Sequence, residues 1–159
     1  NIQHWRFVVV RDKALRAEMR KLGNDQAQIT DSSLLVIMTA DTKAWQKEPA
    51  RYWTQAPKEV ADLLVGWMGP FHDGRDWLQR DEAQRSIGMA MQTLMLAAKG
   101  IGLDSCPMIG FDIEAVAKLI NLPADHVMGP MVAIGKGTKA PWPKPGQLSL
   151  EEVLVNNTF

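Results

Sequence analysis

Leu103-Asp104-Ser105-Cys106-Pro107-Met108-Ile109-Gly110-Phe111-Asp112 lies between two helical patterns. Upstream, a long apolar run ends in Lys99-Gly100-Ile101-Gly102, and downstream Ile113 to Ile120 carries apolar residues at helical spacing. A helix, a tight Pro/Gly segment and a second helix would leave backbone N–H groups open to whatever packs there. Gly110 has no Cβ, so a flat ligand could approach the main chain at that point. The same ten residues also satisfy the plainer description of a connector, and local physics does not choose between the two.

Outward from this stretch, Trp5 to Val10 is aromatic and β-branched and reads as a strand. Asp12 can cap a helix from Lys13 to Leu22 that stops at Gly23-Asn24. Leu34 to Thr39 and Met131 to Gly135 are continuous apolar runs, expected of strands covered on both faces. The coarse order is strand, helix, strand, helices, helix, turn, helix, strand and tail, without repeats or low-complexity segments.

Between residues 83 and 101, Ile87, Met91, Leu94, Met95 and Ala98 make one helical stripe. Met89, Ala90, Leu96 and Ala97 cover much of the remaining surface. A helix apolar nearly all round is buried nearly all round. Either it is central to one subunit, or a second subunit covers its other face. Gln92 interrupts the stripe and needs a hydrogen-bond partner if buried.

Four of the six Trp residues, Trp45, Trp53, Trp67 and Trp77, fall between Thr42 and Arg80. The segment Gly66 to Gly74 is too rich in Gly and Pro to be expected as one helix. Large aromatics on such an excursion either anchor it or line a pocket for a flat substrate. His72 reads as a loop residue without a partner at metal-site spacing, and His4 and His126 are no better placed, so no metal is expected.

A chain of 159 residues suits one domain with a sizeable core. Eighteen Lys plus Arg balance eighteen Asp plus Glu, so charge argues for neither nucleic acid nor an anionic membrane surface. The longest apolar runs, Leu34 to Met38 and Met131 to Ile134, have strand length and are far too short to cross a bilayer. Cys106 is the single cysteine, which rules out an internal disulfide. With no base beside it in sequence, it reads as a small buried residue rather than a nucleophile. No Gly-rich dinucleotide fingerprint follows a strand, and Gly135-Lys136-Gly137-Thr138 lacks the spacing and following helix of a P-loop.

Ser105 to Asp112 resembles the turn of the FMN-dependent nitroreductase family, whose backbone faces the reactive edge of the flavin. Asn1-Ile2-Gln3-His4-Trp5-Arg6-Phe7 is similar to the family's Asn-x-Gln-x-Trp-x-Phe segment, with His4 where the family often has Pro. Gln26 to Asp31, Val132 to Gly135 followed by Pro143-Lys144-Pro145, and Leu150 to Val153 also match in order. The resemblance implies an α+β fold: a central, mostly antiparallel sheet flanked by helices, in an intertwined homodimer with C-terminal strand exchange. It also implies one domain over residues 1–159, lacking the family's N-terminal segment of roughly forty residues. Residues 42–80 would form a variable excursion over the active site, and the apolar helix would belong to the subunit interface.

The activity implied is that of a cytoplasmic oxidoreductase. It would take hydride from NADH or NADPH onto FMN, then pass electrons to a nitroaromatic, a quinone or a similar small planar acceptor. Such an enzyme needs no catalytic side chain, because the cofactor carries the chemistry. Two alternatives stay open: other flavin chemistry on the same fold (dehalogenation, enone reduction or flavin breakdown), and a flavin-binding protein without efficient turnover.

The resemblance further places Asn1 and Gln3 beside the flavin, contributed by the partner subunit, and Asp25 and Gln28 at its pyrimidine edge. Asp25 stands where relatives commonly carry Asn. A carboxylate cannot donate to a flavin carbonyl, so either it accepts from the ring N–H or Asn24 does the work. Pro107, Met108, Ile109 and Gly110 would face the ring, and Gly135, Lys136 and Lys144 would serve the phosphate. Each lysine taken alone reads equally well as a solvated charge. Ser149-Leu150-Glu151-Glu152 has the form of a capping box. The resemblance instead implies an extended arm, with Val153, Leu154 and Val155 in a strand on the partner, and the extended Pro141 to Gly146 stretch favours the arm.

Overall fold

A computed structural model describes residues 2–159; Asn1, with its expected flavin contact, lies outside the described residues. Four strands form one antiparallel sheet: β1 (Trp5–Val10), β2 (Leu34–Asp41), β3 (Asp104–Met108) and β4 (His126–Gly135). Their spatial order is β1-β2-β4-β3, so β2 and β4 are central. Six helices accompany them: α1 (Lys13–Leu22), α2 (Gln28–Asp31), α3 (Lys58–His72), α4 (Asp76–Gly100), α5 (Ile113–Leu119) and α6 (Leu150–Val153). Two short 3-10 turns, Ala44–Gln46 and Pro49–Trp53, lead into α3.

The apolar runs of β2 and β4 have a direct cause. One face of the sheet, with Leu35, Ile37, Met131 and Ala133, packs on Met19 of α1, Ile29 of α2 and Val116 of α5. The other face, with Val36, Met38, Val132 and Ile134, packs on Ala83, Ile87 and Ala98 of α4. Strands covered on both sides have no solvent face to alternate with. Helix α1 begins as its sequence predicts, with the Asp12 carboxylate accepting from Leu15 N–H at 2.8 Å.

Several local expectations are corrected. Residues 104–108 form edge strand β3 instead of a turn, and an edge position tolerates Pro107, which has no N–H to contribute to a ladder. Cys106 is exposed on that edge, not buried. Helix α3 runs through Gly66, Gly69 and Pro70 without a break. Pro70 lies in its last turn and removes one bond, to the carbonyl of exposed Gly66, where water can substitute. His72 is thus helical and buried: it donates from Nδ1 to the Met68 carbonyl at 2.8 Å and stacks on Trp45 at 5.4 Å.

Helix α4 starts at Asp76, well before residue 83, and only part of its surface is covered. Met89 and Leu96, two turns apart, are 64% and 63% exposed, and Gln92 between them is exposed in this chain. Beyond β4 the chain is extended and exposed to residue 149. At Ser149 the capping-box reading prevails over the strand: residues 150–153 form one helical turn, with Ser149 Oγ accepting from Glu152 N–H. That turn leaves Leu150, Leu154 and Val155 exposed.

The excursion is fastened to the sheet by an ion-pair clasp. Lys47 bridges the buried Asp41 carboxylate at 2.8 Å and Asp125 at 2.6 Å. The Lys47 ammonium, followed by His126, holds the Asp125 carboxyl down at about 2. Asp41, Asp125 and His126 bring ligand-type atoms within 4.8 Å of one another. The Lys47 ammonium already supplies the positive charge between the two carboxylates, so the cluster acts as a clasp.

Close approach of α4 to the sheet depends on Gly129. A Cβ there would meet Ile87 Cγ2 at 2.7 Å and the Met38 carbonyl oxygen at 2.9 Å. The isoleucine could shift, but the strand carbonyl could not. Gly129→Ala is expected to destabilise the fold by about 2 kcal/mol, the cost of overpacking a close-packed core, as measured by urea unfolding.

Candidate functional site

Two segments 80-odd residues apart in sequence converge on one carbonyl. Asn24 Nδ2 and Gln26 Nε2 each donate to the Gly110 oxygen at 3.0 Å, and Gln26 also donates to Gly23 O at 3.0 Å. The Asp112 N–H bonds Leu22 O at 2.9 Å, so the end of α1 is tied to the same loop. Asn24 and Asp25 both adopt positive φ, 54° each. Two successive non-glycine residues in the left-handed region store strain, and such strain concentrates where geometry serves a ligand. Asn tolerates that region better than most residues, which gives Asn24 a local reason to be there.

Gly110 is not among the residues with positive φ, and a Cβ on it would meet only Gln26 Nε2 at 3.8 Å and Asn24 Nδ2 at 3.9 Å. Neither conformation nor packing within the chain requires glycine here. What glycine provides is an open backbone beside an edge strand, next to Ile109, which is more than half exposed. Among the described residues the Ile109 and Gly110 N–H groups donate to no backbone acceptor. A flat heterocycle with hydrogen-bonding edges fits this combination of open main chain, amide side chains and apolar surface.

The other expected residues are placed unevenly. Gln28 joins the cradle, its Nε2 lying 3.2 Å from Gln26 Oε1 and 3.9 Å from Cys106 Sγ. Asp25 is turned to Arg20 at 2.6 Å, and Asn24 holds the position facing Gly110. Met108 is buried beneath the edge, while Pro107 is exposed on it. Gly135 pairs with Asp104 across β4 and β3, which sets Lys136 at the far end of the same edge. Asp104 there accepts from Lys99 at 3.0 Å and Gly137 N–H at 3.1 Å; Lys99 first, then the amide, keep its carboxyl below the usual range. Lys144 lies in the exposed extended segment, hydrogen-bonded to Gln147.

Gln3 stands apart. It precedes β1, whereas the cradle adjoins β3 on the opposite edge. Three strand spacings, about 14 Å, separate those edges. Within one chain the two groups of residues therefore do not meet.

Asn24 and Gln26 as clamps on Gly110 were not singled out from sequence, although Gly23-Asn24 was legible as a helix stop. Arg16 was missed as well. It is buried in α1, donating from Nε to Ile29 O at 2.8 Å and from Nη2 to Ser32 O at 2.9 Å. Burial draws its pKa below the ordinary arginine value. Its bonds hold α2, and with it the Asn24–Gln28 loop, against α1.

The family model described as "Nitroreductase family" matches residues 1–136. Protein DrgA of Synechocystis is 58% identical over 159 residues, covering 97% of this chain and 76% of that protein. MhqN of Bacillus subtilis, which carries a provisional NAD(P)H nitroreductase name, is 32% identical over 142 residues, covering 86% of this chain and 69% of its own. A crystal structure from Exiguobacterium sibiricum, a provisionally named nitroreductase in complex with FMN, superimposes with a TM-score of 0.86. It is 24% identical, and the match covers 97% of this chain and 77% of that one.

Each amide bond to Gly110 is solvent-exposed, and a typical one contributes about 1 kcal/mol net. The double variant Asn24→Ala/Gln26→Ala is expected to speed amide hydrogen exchange at Phe111 and Asp112, whose N–H groups bond Ile109 O and Leu22 O, by about tenfold, with exchange in β2 unchanged. Unaltered exchange there would mean that the turn is held by β3 and the Asp112–Leu22 bond without the two amides.

Proposed function

Because this chain belongs to the nitroreductase family, we propose that it is a homodimeric, FMN-dependent oxidoreductase that uses NADH or NADPH to reduce a small planar acceptor, a nitroaromatic or a quinone. The observation that carries this reading is the joining of Asn24 and Gln26 to the open Gly110 backbone, with Gln28 beside them on Gln26 and Cys106. Bound FMN would supply reversible two-electron redox chemistry, taking hydride from the nicotinamide and passing it on.

The chain's own contribution is binding and orientation. The Ile109 and Gly110 amides would donate to the flavin ring, and Gln28 would hydrogen-bond its pyrimidine edge. The Asp25 carboxylate is engaged by Arg20, so Asn24 is the better candidate for the role relatives give to Asn. Lys136, at the end of β4, would hold the phosphate as a point charge; Lys144 would join it only if the extended segment moves toward the site.

A second copy would complete the site, for two reasons. Gln3 and the cradle lie on opposite edges of the sheet, and a two-fold partner can bring the one to the other. In addition, Trp5 and Phe7 of β1 with Met89, Ala90 and Leu94 of α4 line an apolar groove of about 800 Å³ that this chain leaves open. With Met89 and Leu96 exposed on the same helix, a partner subunit would cover apolar side chains that this chain leaves in water. The exposed apolar segment Leu148 to Val155 suits an arm laid across a partner, as a helical turn in this chain rather than a strand.

The direct test is optical and chemical. The purified protein is expected to be yellow, to release FMN on heating, and to bleach anaerobically with NADH or NADPH. Release of FAD, or a bound flavin that neither nucleotide reduces, would overturn the proposal. Lys136→Ala should weaken FMN binding by roughly tenfold or more, since a charge-assisted contact contributes about 1.5–3 kcal/mol.

The dimer has its own readout. Met91 packs partly on its own core, whereas Met89 and Leu96 do not, so they are the informative positions. The variant Met89→Lys/Leu96→Lys should sediment as a monomer and lose flavin while keeping its helical circular dichroism. A variant that stays dimeric would remove α4 from the interface.

A further inference from the structure

A second groove, of about 520 Å³, opens on the excursion and is lined by Trp53, Leu64, Trp67, Pro70, Phe71 and Arg75, among others. Its volume is in the range of small-molecule sites. Trp67 is 61% exposed and Phe71 50% exposed, so two aromatic side chains on one helix face are left without cover in this chain. The sequence alone left open whether the excursion's tryptophans anchor or line a pocket. Trp45 anchors, stacked on His72, and Trp67 lines.

Arg75 gives the groove a chemical preference. Arg75 donates to the Phe71 carbonyl at 3.3 Å, and among the described residues its guanidinium has no carboxylate partner. The neighbouring acids are engaged elsewhere: Asp76 pairs with Lys43 at 3.2 Å, and Asp73 accepts from Gly74 N–H at 3.1 Å. Among the described residues, none that lines the groove is acidic. Aromatic walls and an uncompensated guanidinium together call for a flat ring that carries negative charge.

We propose that this groove binds planar aromatic anions, such as aromatic carboxylates, with the ring against Trp67 and Phe71 and the carboxylate on Arg75. The site thereby selects anionic members among planar acceptors. The inference rests on the proposed function only in taking the bound anion to be the electron acceptor, for which the two-fold partner must bring this groove, beside Ile2 ahead of β1, to a flavin at the cradle; binding itself requires no reduction.

The test separates the two. In calorimetric titrations of the purified holoprotein without nicotinamide, 2-naphthoate is expected to bind about tenfold tighter than neutral, isosteric 2-naphthamide. Arg75→Gln should abolish that preference, whereas Trp67→Ala should weaken both ligands similarly. Equal binding of acid and amide, a preference that survives Arg75→Gln, or no binding of either would overturn the proposal. With NADH added, the preference for 4-nitrobenzoate over 4-nitrobenzamide in kcat/KM should also fall about tenfold in Arg75→Gln. An unchanged kinetic preference would overturn the acceptor assignment. Failure of NADH to bleach the flavin, with naphthoate binding intact, would count against the redox reading and leave the groove standing.

Discussion

Burial of the central strands on both faces is the constraint from which the rest of the structure follows. β2 is buried along nearly its whole length and β4 from Met131 to Ile134, so the chain must supply helices to each side of one sheet. It does so unequally. Three helices share one face, while α4 alone serves the other and extends beyond the surface it covers. That asymmetry leaves Phe7 and Val9 of β1 and the outer side of α4 uncovered. The groove between them follows from a sheet with more apolar area than one chain can bury.

The cradle occupies an edge for a related reason. In the interior of the sheet the main-chain groups are consumed by pairing, whereas β3 has only one neighbour. Main-chain groups are therefore open along the outer side of β3 and just past Met108, where pairing stops. The amides of Asn24 and Gln26 secure that region from the side of α1 without occupying its outer surface. Arg16 fixes α2 from beneath, at the expense of burying a guanidinium whose bonds all go to backbone and hydroxyl oxygens.

The excursion is attached differently. Lys47 between Asp41 and Asp125, and Thr42 on the Asp125 carbonyl, link it to the body, while Lys43 on Gln79 and Trp45 on His72 tie its own segments together.

From the residues themselves, β1, α1 and the apolar cores of β2 and β4 were legible, because strand and helix periods and the Asp12 cap are local signals. The resemblance of five ordered segments added the family and the α+β sheet. Other features were decided by tertiary contacts. A Pro-containing stretch became a strand because it lies at an edge, and α3 passed through two glycines and a proline because Met68 and His72 are anchored in the core. Cys106, which reads as a buried residue, is exposed for the same edge reason. The exchange of Asp25 for Asn24 at the cradle was set by Arg20, five residues away on a helix, and by a carbonyl 86 residues away. Sequence determined which segments are apolar and where they begin and end; which main-chain groups remain open to a ligand depended on where pairing stopped in three dimensions.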